Sequence, residues 1–232
     1  MTNGHKHGAS VSNILASLIC LIFSASTPTL FGAEATTDLA VRVFYTANTL
    51  PFVLAARQVN LDLKLHASPW SPLAWMKKSG KMDRGGKDSR LRDEDAIYAA
   101  YGLYFERYIT GYLAHGIPIA WLLPQNEMDC NPAYPGNVME PPDTIRLVTQ
   151  HLVPRFKASK IATEIRAGTF REKPAELWAT ECMKNPAFCA SIAGLGIQYF
   201  NGRSIEALSK DYPSLRYMHT EASCGNGKNV AD

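Results

Sequence analysis

The chain has 232 residues, 46% of them hydrophobic, which is enough to bury a sizeable core and suits one domain. Its formal net charge of +3 is too small and too dispersed to mark a nucleic-acid-binding protein. The aromatic share, with Trp70, Trp75, Trp121 and Trp178, fits an ordered globular fold; flat apolar rings also suit sugar binding, although most tryptophans are simply core.

The amino terminus carries Lys6 and two histidines, then an almost unbroken apolar run over 14–23, then small residues ending in Ala33-Glu34-Ala35. That order reads as a secretory signal peptide over 1–35, leaving 36–232 as the folded domain, and the run is too short to span a bilayer. The expected location is therefore secreted or periplasmic. The alternative is upstream sequence translated from a misassigned start as an unstructured tail. Cys20 lies inside the apolar run, and Ile19 before it argues against lipoprotein cleavage.

Beyond that segment the pattern alternates between strand-like and helix-like stretches. Residues 61–67 alternate polar and apolar and read as a strand. Ser68-Pro69-Trp70-Ser71-Pro72 must leave regular structure, because proline lacks an amide hydrogen and restricts its predecessor. The glycine- and lysine-rich 75–90 reads as an exposed loop. Apolar residues at helical spacing (Ile97, Tyr101, Tyr104, Phe105, Tyr108, Ile109, Tyr112) predict a helix over 93–115, closed by Gly116. A continuous apolar strand over 117–123 follows, then a long loop over 131–142. Asp143 is placed to cap a helix reaching about residue 156. Strands over 161–170, 195–200 and 215–220 alternate with helices over 174–192 and 204–210. This is an α/β chain of parallel βαβ units. The pattern leaves open whether the sheet is a barrel or doubly wound.

Four cysteines lie beyond the apolar run: Cys130, Cys182, Cys189 and Cys224. An even number allows disulfides in an exported protein. Cys130 and Cys224 each lie three residues past one of two glutamates, so converging loops would bring their sulfurs together; Cys182 and Cys189 could close a local loop. Four buried thiols are the equal alternative.

Those glutamates carry the chemistry. Glu127 follows Leu122-Leu123-Pro124-Gln125-Asn126, and Glu221 follows Tyr217-Met218-His219-Thr220. Each ends an apolar stretch read as a strand and precedes loop-forming residues. A side chain at the carboxyl end of a parallel strand projects into a cleft where function rather than packing selects it. Two carboxylates on different strands are what glycosidic-bond cleavage uses. Taken alone, two unrelated surface glutamates are the plainer reading. His219 shares a strand face with Glu221 and reads as a hydrogen-bonded core histidine. No metal-ligand cluster or glycine-rich phosphate loop appears, so no cofactor is implied.

Ser68-Pro69-Trp70-Ser71-Pro72-Leu73-Ala74-Trp75-Met76-Lys77 resembles the Ser-Pro-Trp-Ser-Pro-Pro-Ala-Trp-Met-Lys signature of glycoside hydrolase family 30, which includes glucosylceramidases and β-1,6-glucanases. Gln125-Asn126-Glu127 resembles the family segment whose glutamate is the general acid/base. Thr220-Glu221-Ala222-Ser223-Cys224-Gly225 resembles the segment carrying the nucleophile, and Gly196-Ile197-Gln198-Tyr199-Phe200 lies where the family has an aromatic-rich strand. The similarity runs from about Asp38 to the end.

The resemblance implies a (β/α)8 barrel with an attached β-sandwich, and a retaining two-glutamate hydrolase of a β-glucan, a glucosylceramide-like lipid or a related β-glycoside. Glu221 would be its nucleophile and Glu127 its acid/base, with the charge of Glu221 raising the pKa of Glu127. Trp70 would form a wall of the sugar pocket, Asn126 would donate to the C2 hydroxyl, and Gln198 and Tyr199 would be further contacts. The resemblance covers about strands three to seven of the barrel. It therefore implies an incomplete barrel that lacks the family's β-sandwich, with a complementing segment or oligomer as partner. The alternative function is an inactive remnant that at most binds carbohydrate. Departures from the family pattern are Leu73 for the second proline of the tryptophan motif, Met128 where proline commonly follows the acid/base, and Gln198-Tyr199-Phe200 for His-Trp-Tyr. Phe200 lacks the hydroxyl that would reach the nucleophile, so that auxiliary hydrogen bond is in question.

Overall fold

The computed structural model describes residues 49–83, 88–171 and 174–221; the signal-like segment and Cys224 lie outside them. Five strands form one sheet: β1 (Leu65–Ala67), β2 (Ile119–Leu122), β3 (Glu164–Phe170), β4 (Gly194–Gln198) and β5 (Arg216–Glu221). All neighbours are parallel, with Leu65 opposite Ile119, Trp121 opposite Glu164, Ala167 opposite Leu195 and Ile197 opposite His219. A doubly wound sheet reverses direction at a switch point, whereas a barrel adds every strand on the same side of the last. The unbroken order β1-β2-β3-β4-β5 settles the question left by the pattern. The sheet is part of a (β/α) barrel. β3 is buried along all but its first residue and β4 along its whole length, as strands covered on both faces must be.

Helices fill the crossovers. α1 (Thr49–Val59) precedes β1, and α2 (Asp95–Ala114) joins β1 to β2. α3 (Pro141–Arg146), a π-helical stretch (Leu147–Leu152) and α4 (Val153–Ala158) join β2 to β3. α5 (Ala175–Met183) and α6 (Pro186–Cys189) join β3 to β4, and α7 (Ser204–Asp211) joins β4 to β5. α2 buries every one of its apolar residues named from periodicity. Each such aromatic or aliphatic side chain contributes about 1.5–3 kcal/mol relative to exposure. The helix stops where the Gly116 amide reaches Leu113 O (2.9 Å) and the Ile117 amide reaches Tyr112 O (3.0 Å). That bond pair requires a left-handed residue, and Gly116 has φ +74°.

Elsewhere the structure corrects the sequence reading. α1 has no counterpart in it, because a helix with Val53 as its buried residue carries no apolar stripe. α3 starts at Pro141, whose fixed φ suits a first helical position; Asp143 is not its cap but accepts hydrogen bonds from Arg90 and Tyr98. The single helix expected over 174–192 is two helices. Asn185 leaves helical geometry, caps α6 by accepting from the Phe188 amide (3.0 Å), and precedes a proline that cannot continue α5. β4 ends at Gln198, where Tyr199 takes φ +46° and opens a 3-10 turn, Tyr199–Arg203.

The stretch over 75–90 is less exposed than expected. Ala74–Met76 forms a 3-10 turn, and Met76 and Lys77 are fully buried. Lys77 Nζ donates to Gly136 O, Met82 O and Ser71 Oγ, tying the tryptophan-rich loop to the loop after β2. Burial lowers its pKa to about 8, against the opposing charge of Asp83. Cys182 and Cys189 are both thiols, the first buried beside Pro141 O and the second donating to Met183 O (3.1 Å), so the local disulfide is not formed. The pairing of Cys130 with Cys224 falls outside the described residues. Among the described residues, no helix is long and apolar enough to cross a membrane.

Candidate active site

Every strand delivers a polar or aromatic side chain from its carboxyl end: Trp70 after β1, Glu127 after β2, Arg171 after β3, Tyr199 after β4 and Glu221 at the end of β5. The loops that carry them are locked to one another through the backbone. The Asn126 amide donates to Pro69 O (2.9 Å), and Gln125 Nε2 donates to Trp70 O (2.8 Å), joining the first two loops.

Thr169 joins the second loop to β3. Its amide donates to Gln125 O (2.8 Å), and its carbonyl accepts from the Met128 amide (3.1 Å). Its hydroxyl accepts from the Glu127 amide (2.8 Å) and donates to Asn126 Oδ1 (3.0 Å). This latch holds Glu127 at φ +45°, a backbone region that non-glycine residues adopt rarely and mostly where surrounding structure enforces it. The next residue back, Gly168, makes the close approach possible: a Cβ there would sit 2.2 Å from Gly196 O.

Glu127 is buried, 2% exposed. Its Oε1 and Oε2 accept from Arg171 Nη1 (3.3 and 3.1 Å), and Oε2 also accepts from the Tyr134 hydroxyl (3.2 Å). Burial raises its pKa above the usual carboxylate value; Arg171 and Tyr134 pull the other way, and the charge of Glu221 adds to the rise. The rise matches the sequence expectation, but its principal cause is loss of water rather than Glu221.

Glu221 sits in a different environment. The Tyr199 hydroxyl donates to Oε1 (2.6 Å) and Gln198 Nε2 donates to Oε2 (3.1 Å). Gln198 also donates to Asn126 Oδ1 (2.8 Å), so one amide spans from the Glu127 loop to Glu221. The hydrogen bond to Glu221 pushes the Tyr199 phenol up to about 12. The hydroxyl that Phe200 cannot offer is thus supplied by its neighbour.

The structure brings all the sequence-predicted site residues into one connected set. Trp70 packs edge-on against Tyr134 (centroids 5.0 Å, 84°), which touches Glu127. Arg171 lies over the Tyr199 ring at 5.4 Å. Asn126 Nδ2 is buried and has no hydrogen-bond partner among the described residues. His219 does not join the site and is not core: it is exposed on β5, with Nε2 3.4 Å from Tyr199 O.

Sequence reading missed Arg171, Tyr134 and Thr169. Arg171 immediately follows a strand, so the rule that found Glu221 could have found it. Tyr134 sits in a stretch read simply as a loop, and nothing local marks it.

Two carboxyl groups, one buried and biased toward its proton, one held by two donors, face the same end of an α/β sheet. The family model described as the glycosyl hydrolase family 30 TIM-barrel domain matches residues 38–231. The chain belongs to that family. It is 26% identical over 188 residues to "Putative glucosylceramidase 3" of Caenorhabditis elegans, covering 76% of this chain and 35% of that protein. It is 31% identical over 116 residues to the endo-1,6-beta-D-glucanase BGN16.3 of Trichoderma harzianum, covering 47% of this chain and 24% of the relative. Among solved structures, SrfJ from Salmonella typhimurium superposes with a TM-score of 0.70 at 26% identity, over 78% of this chain and 42% of that one. The endo-β1,6-glucanase BT3312 superposes at 0.71 and 23% identity, over 81% and 43%, and supports the fold. The family 30 chain thus spans 35% of the length of the first of these curated relatives and 42% of SrfJ.

Proposed function

We propose that the protein is a retaining β-glycoside hydrolase in which Glu221 is the nucleophile and Glu127 the general acid/base. The observation that carries this reading is the contrast between the two carboxyl environments. A retaining pair needs one group that keeps a proton near neutral pH and one that stays ionised, at a separation of about 5–5.5 Å. Burial biases Glu127 toward the protonated form. Two hydrogen bonds, from Tyr199 and Gln198, orient the Glu221 carboxyl group.

In the first step a Glu221 oxygen bonds to the anomeric carbon while Glu127 gives its proton to the departing oxygen. In the second, Glu127 takes a proton from water, whose oxygen replaces Glu221 at the anomeric carbon. Asn126 Nδ2, a buried donor awaiting an acceptor, suits a sugar hydroxyl at C2, an interaction that strengthens in the transition state. Trp70, braced by Tyr134, supplies a flat apolar wall. A β-glucoside is the substrate class in keeping with relatives described as a glucosylceramidase and an endo-1,6-β-glucanase. Export through the apolar amino-terminal segment belongs to the same reading.

The test is hydrolysis of 4-nitrophenyl β-D-glucoside by the purified chain and by Glu221→Gln. The wild type should release nitrophenol, and the variant should lose the activity by at least about 1,000-fold, in line with loss of a covalent nucleophile. Equal trace rates in the two proteins would refute the assignment and favour a carbohydrate-binding remnant.

A further inference from the structure

Arg171 is absent from the sequence reading, yet it contacts the proposed acid/base directly. A single guanidinium nitrogen, Nη1, donates toward Glu127 Oε1 (3.3 Å), Glu127 Oε2 (3.1 Å) and the Tyr134 hydroxyl (2.9 Å). The two partners differ sharply in access: the Arg171 side chain is 40% exposed and that of Glu127 2%. The arginine backbone is tethered, because its amide donates to both carboxylate oxygens of Asp129 (3.0 and 3.2 Å). Its side chain is a flexible stem with a solvent-facing head, and that is the part able to move.

The arrangement poses a conflict for the proposed mechanism. A general acid must hydrogen-bond the oxygen it protonates. Arg171 occupies both carboxyl oxygens of Glu127, and Tyr134 takes a second position on Oε2. Oε1 keeps one acceptor site, but with the Glu127 side chain 2% exposed a glycosidic oxygen reaches it only when a covering group moves aside. Exposure does not separate the two partners, since Tyr134 is as open as Arg171; charge does, because a protonated, neutral Glu127 no longer attracts the guanidinium, whereas a neutral hydroxyl can bond either form. The Arg171 head already has a second partner besides Glu127, because its Cζ lies 5.4 Å from the Tyr199 ring centroid, within cation–π range.

We propose that Arg171 is a displaceable counter-ion of Glu127, a positioning residue that pairs with the carboxylate before substrate binds and leaves it when a glycosidic oxygen arrives. The inference rests on the acid/base reading of Glu127. Substrate binding and proton uptake then become one event. Glu127 exchanges a guanidinium for a proton drawn from solvent, and that proton passes to the departing oxygen. The groups facing Glu127 fix the direction. Arg171 and Tyr134 lower its proton affinity, whereas burial and Glu221 raise it. Tyr199, engaged with Glu221, and Asp129, engaged with the Arg171 backbone, carry no positive charge that could replace the guanidinium. Removing Arg171 while a sugar adds further burial moves Glu127 toward its proton on both counts.

The experiment compares Arg171 with Arg171→Met and Arg171→Gln in the full chain; the residue is exposed, so neither change disturbs the core. The Glu127 carboxyl carbon is titrated by carbon-13 NMR, identified by its loss in Glu127→Gln, in proteins that also carry Glu221→Gln so that the probe is not consumed. Without probe, both neutral variants should raise the Glu127 midpoint by about one pH unit. With saturating 4-nitrophenyl β-D-glucoside, the Arg171 protein should rise to meet the variants. An unchanged midpoint in the variants overturns the inference, as does an Arg171 protein that stays below them, or fails to respond, when the glucoside is added. In active protein, the alkaline limb of kcat/KM should move up by about one pH unit in Arg171→Met while that of kcat stays in place. Equal movement of both limbs would show that Arg171 never leaves. Failure of the wild type to hydrolyse the glucoside sinks the glycosidase reading; an unmoved Glu127 midpoint sinks this inference alone.

Discussion

Glu221 accepts its shortest hydrogen bond from Tyr199, a residue forced into a left-handed backbone conformation at φ +46°. A hydroxyl donating to a carboxylate contributes about 1.5–3 kcal/mol when the site is closed to water. With Glu221 as the proposed nucleophile, the bond would weaken as the negative charge is consumed, while its geometry aims the attacking oxygen. Tyr199→Phe should therefore lower kcat/KM on an aryl β-glucoside by about 10–100-fold. An unchanged value would show that Gln198 alone orients Glu221. In the proposed mechanism Glu127 would set the alkaline side of the pH profile. An acid works only while protonated, so activity falls as pH rises through its pKa, and burial places that fall above the ordinary carboxylate range. Glu127→Gln should abolish the alkaline limb together with most activity toward substrates with poor leaving groups. A limb that persists would assign it to another residue.

At the scale of elements, the site depends on β4 and β5 approaching closely and on two loops being clamped. Gly194 shows how close the approach is: a Cβ would sit 2.0 Å from Arg216 O and 2.9 Å from Arg216 C, both backbone atoms unable to rotate away. Gly194→Ala should cost at least about 1–3 kcal/mol, read as a lower urea midpoint; wild-type stability would contradict the β4–β5 packing described here. Lys77 clamps the tryptophan-rich loop to the loop carrying Tyr134, and its pKa of about 8 lies below the unfolded lysine value. A lowered folded pKa makes the folded state bind fewer protons, so this residue's contribution to stability grows as pH rises from about 8 to 10.5 and is lost as pH falls through 8. The stability difference between wild type and Lys77→Met should therefore widen between pH 8 and 10; a flat difference would show that burial is not felt.

The strands and α2 were legible because burial on two faces, or on one helical stripe, leaves a periodic record. The 174–192 helix was misread because a capping asparagine before a proline outweighs apolar periodicity. Glu127 and Glu221 were legible from their strand ends. Thr169 and Tyr134 were not, since a hydroxyl that latches one loop to another leaves no local pattern.

At the scale of the whole molecule, five parallel strands in sequential order bring the side chains at their carboxyl ends into one hydrogen-bonded set, and the opposite ends carry a charged cluster. There Glu164 accepts from Trp121 Nε1 (3.1 Å) and pairs with Arg166 and Arg216 (3.5 Å each), with Arg166 stacked on Trp121 at 4.6 Å. Barrel folds divide their labour in this way, with chemistry at the carboxyl ends of strands and stability at the amino ends. The central claim concerns the first of these. Its most direct test is the anomer first released from an aryl β-glucoside, followed by proton NMR before mutarotation. Glu221 acting as a covalent nucleophile predicts β-glucose as the first product and no release from Glu221→Gln. α-Glucose as the first product, or equal release from the variant, would contradict the account.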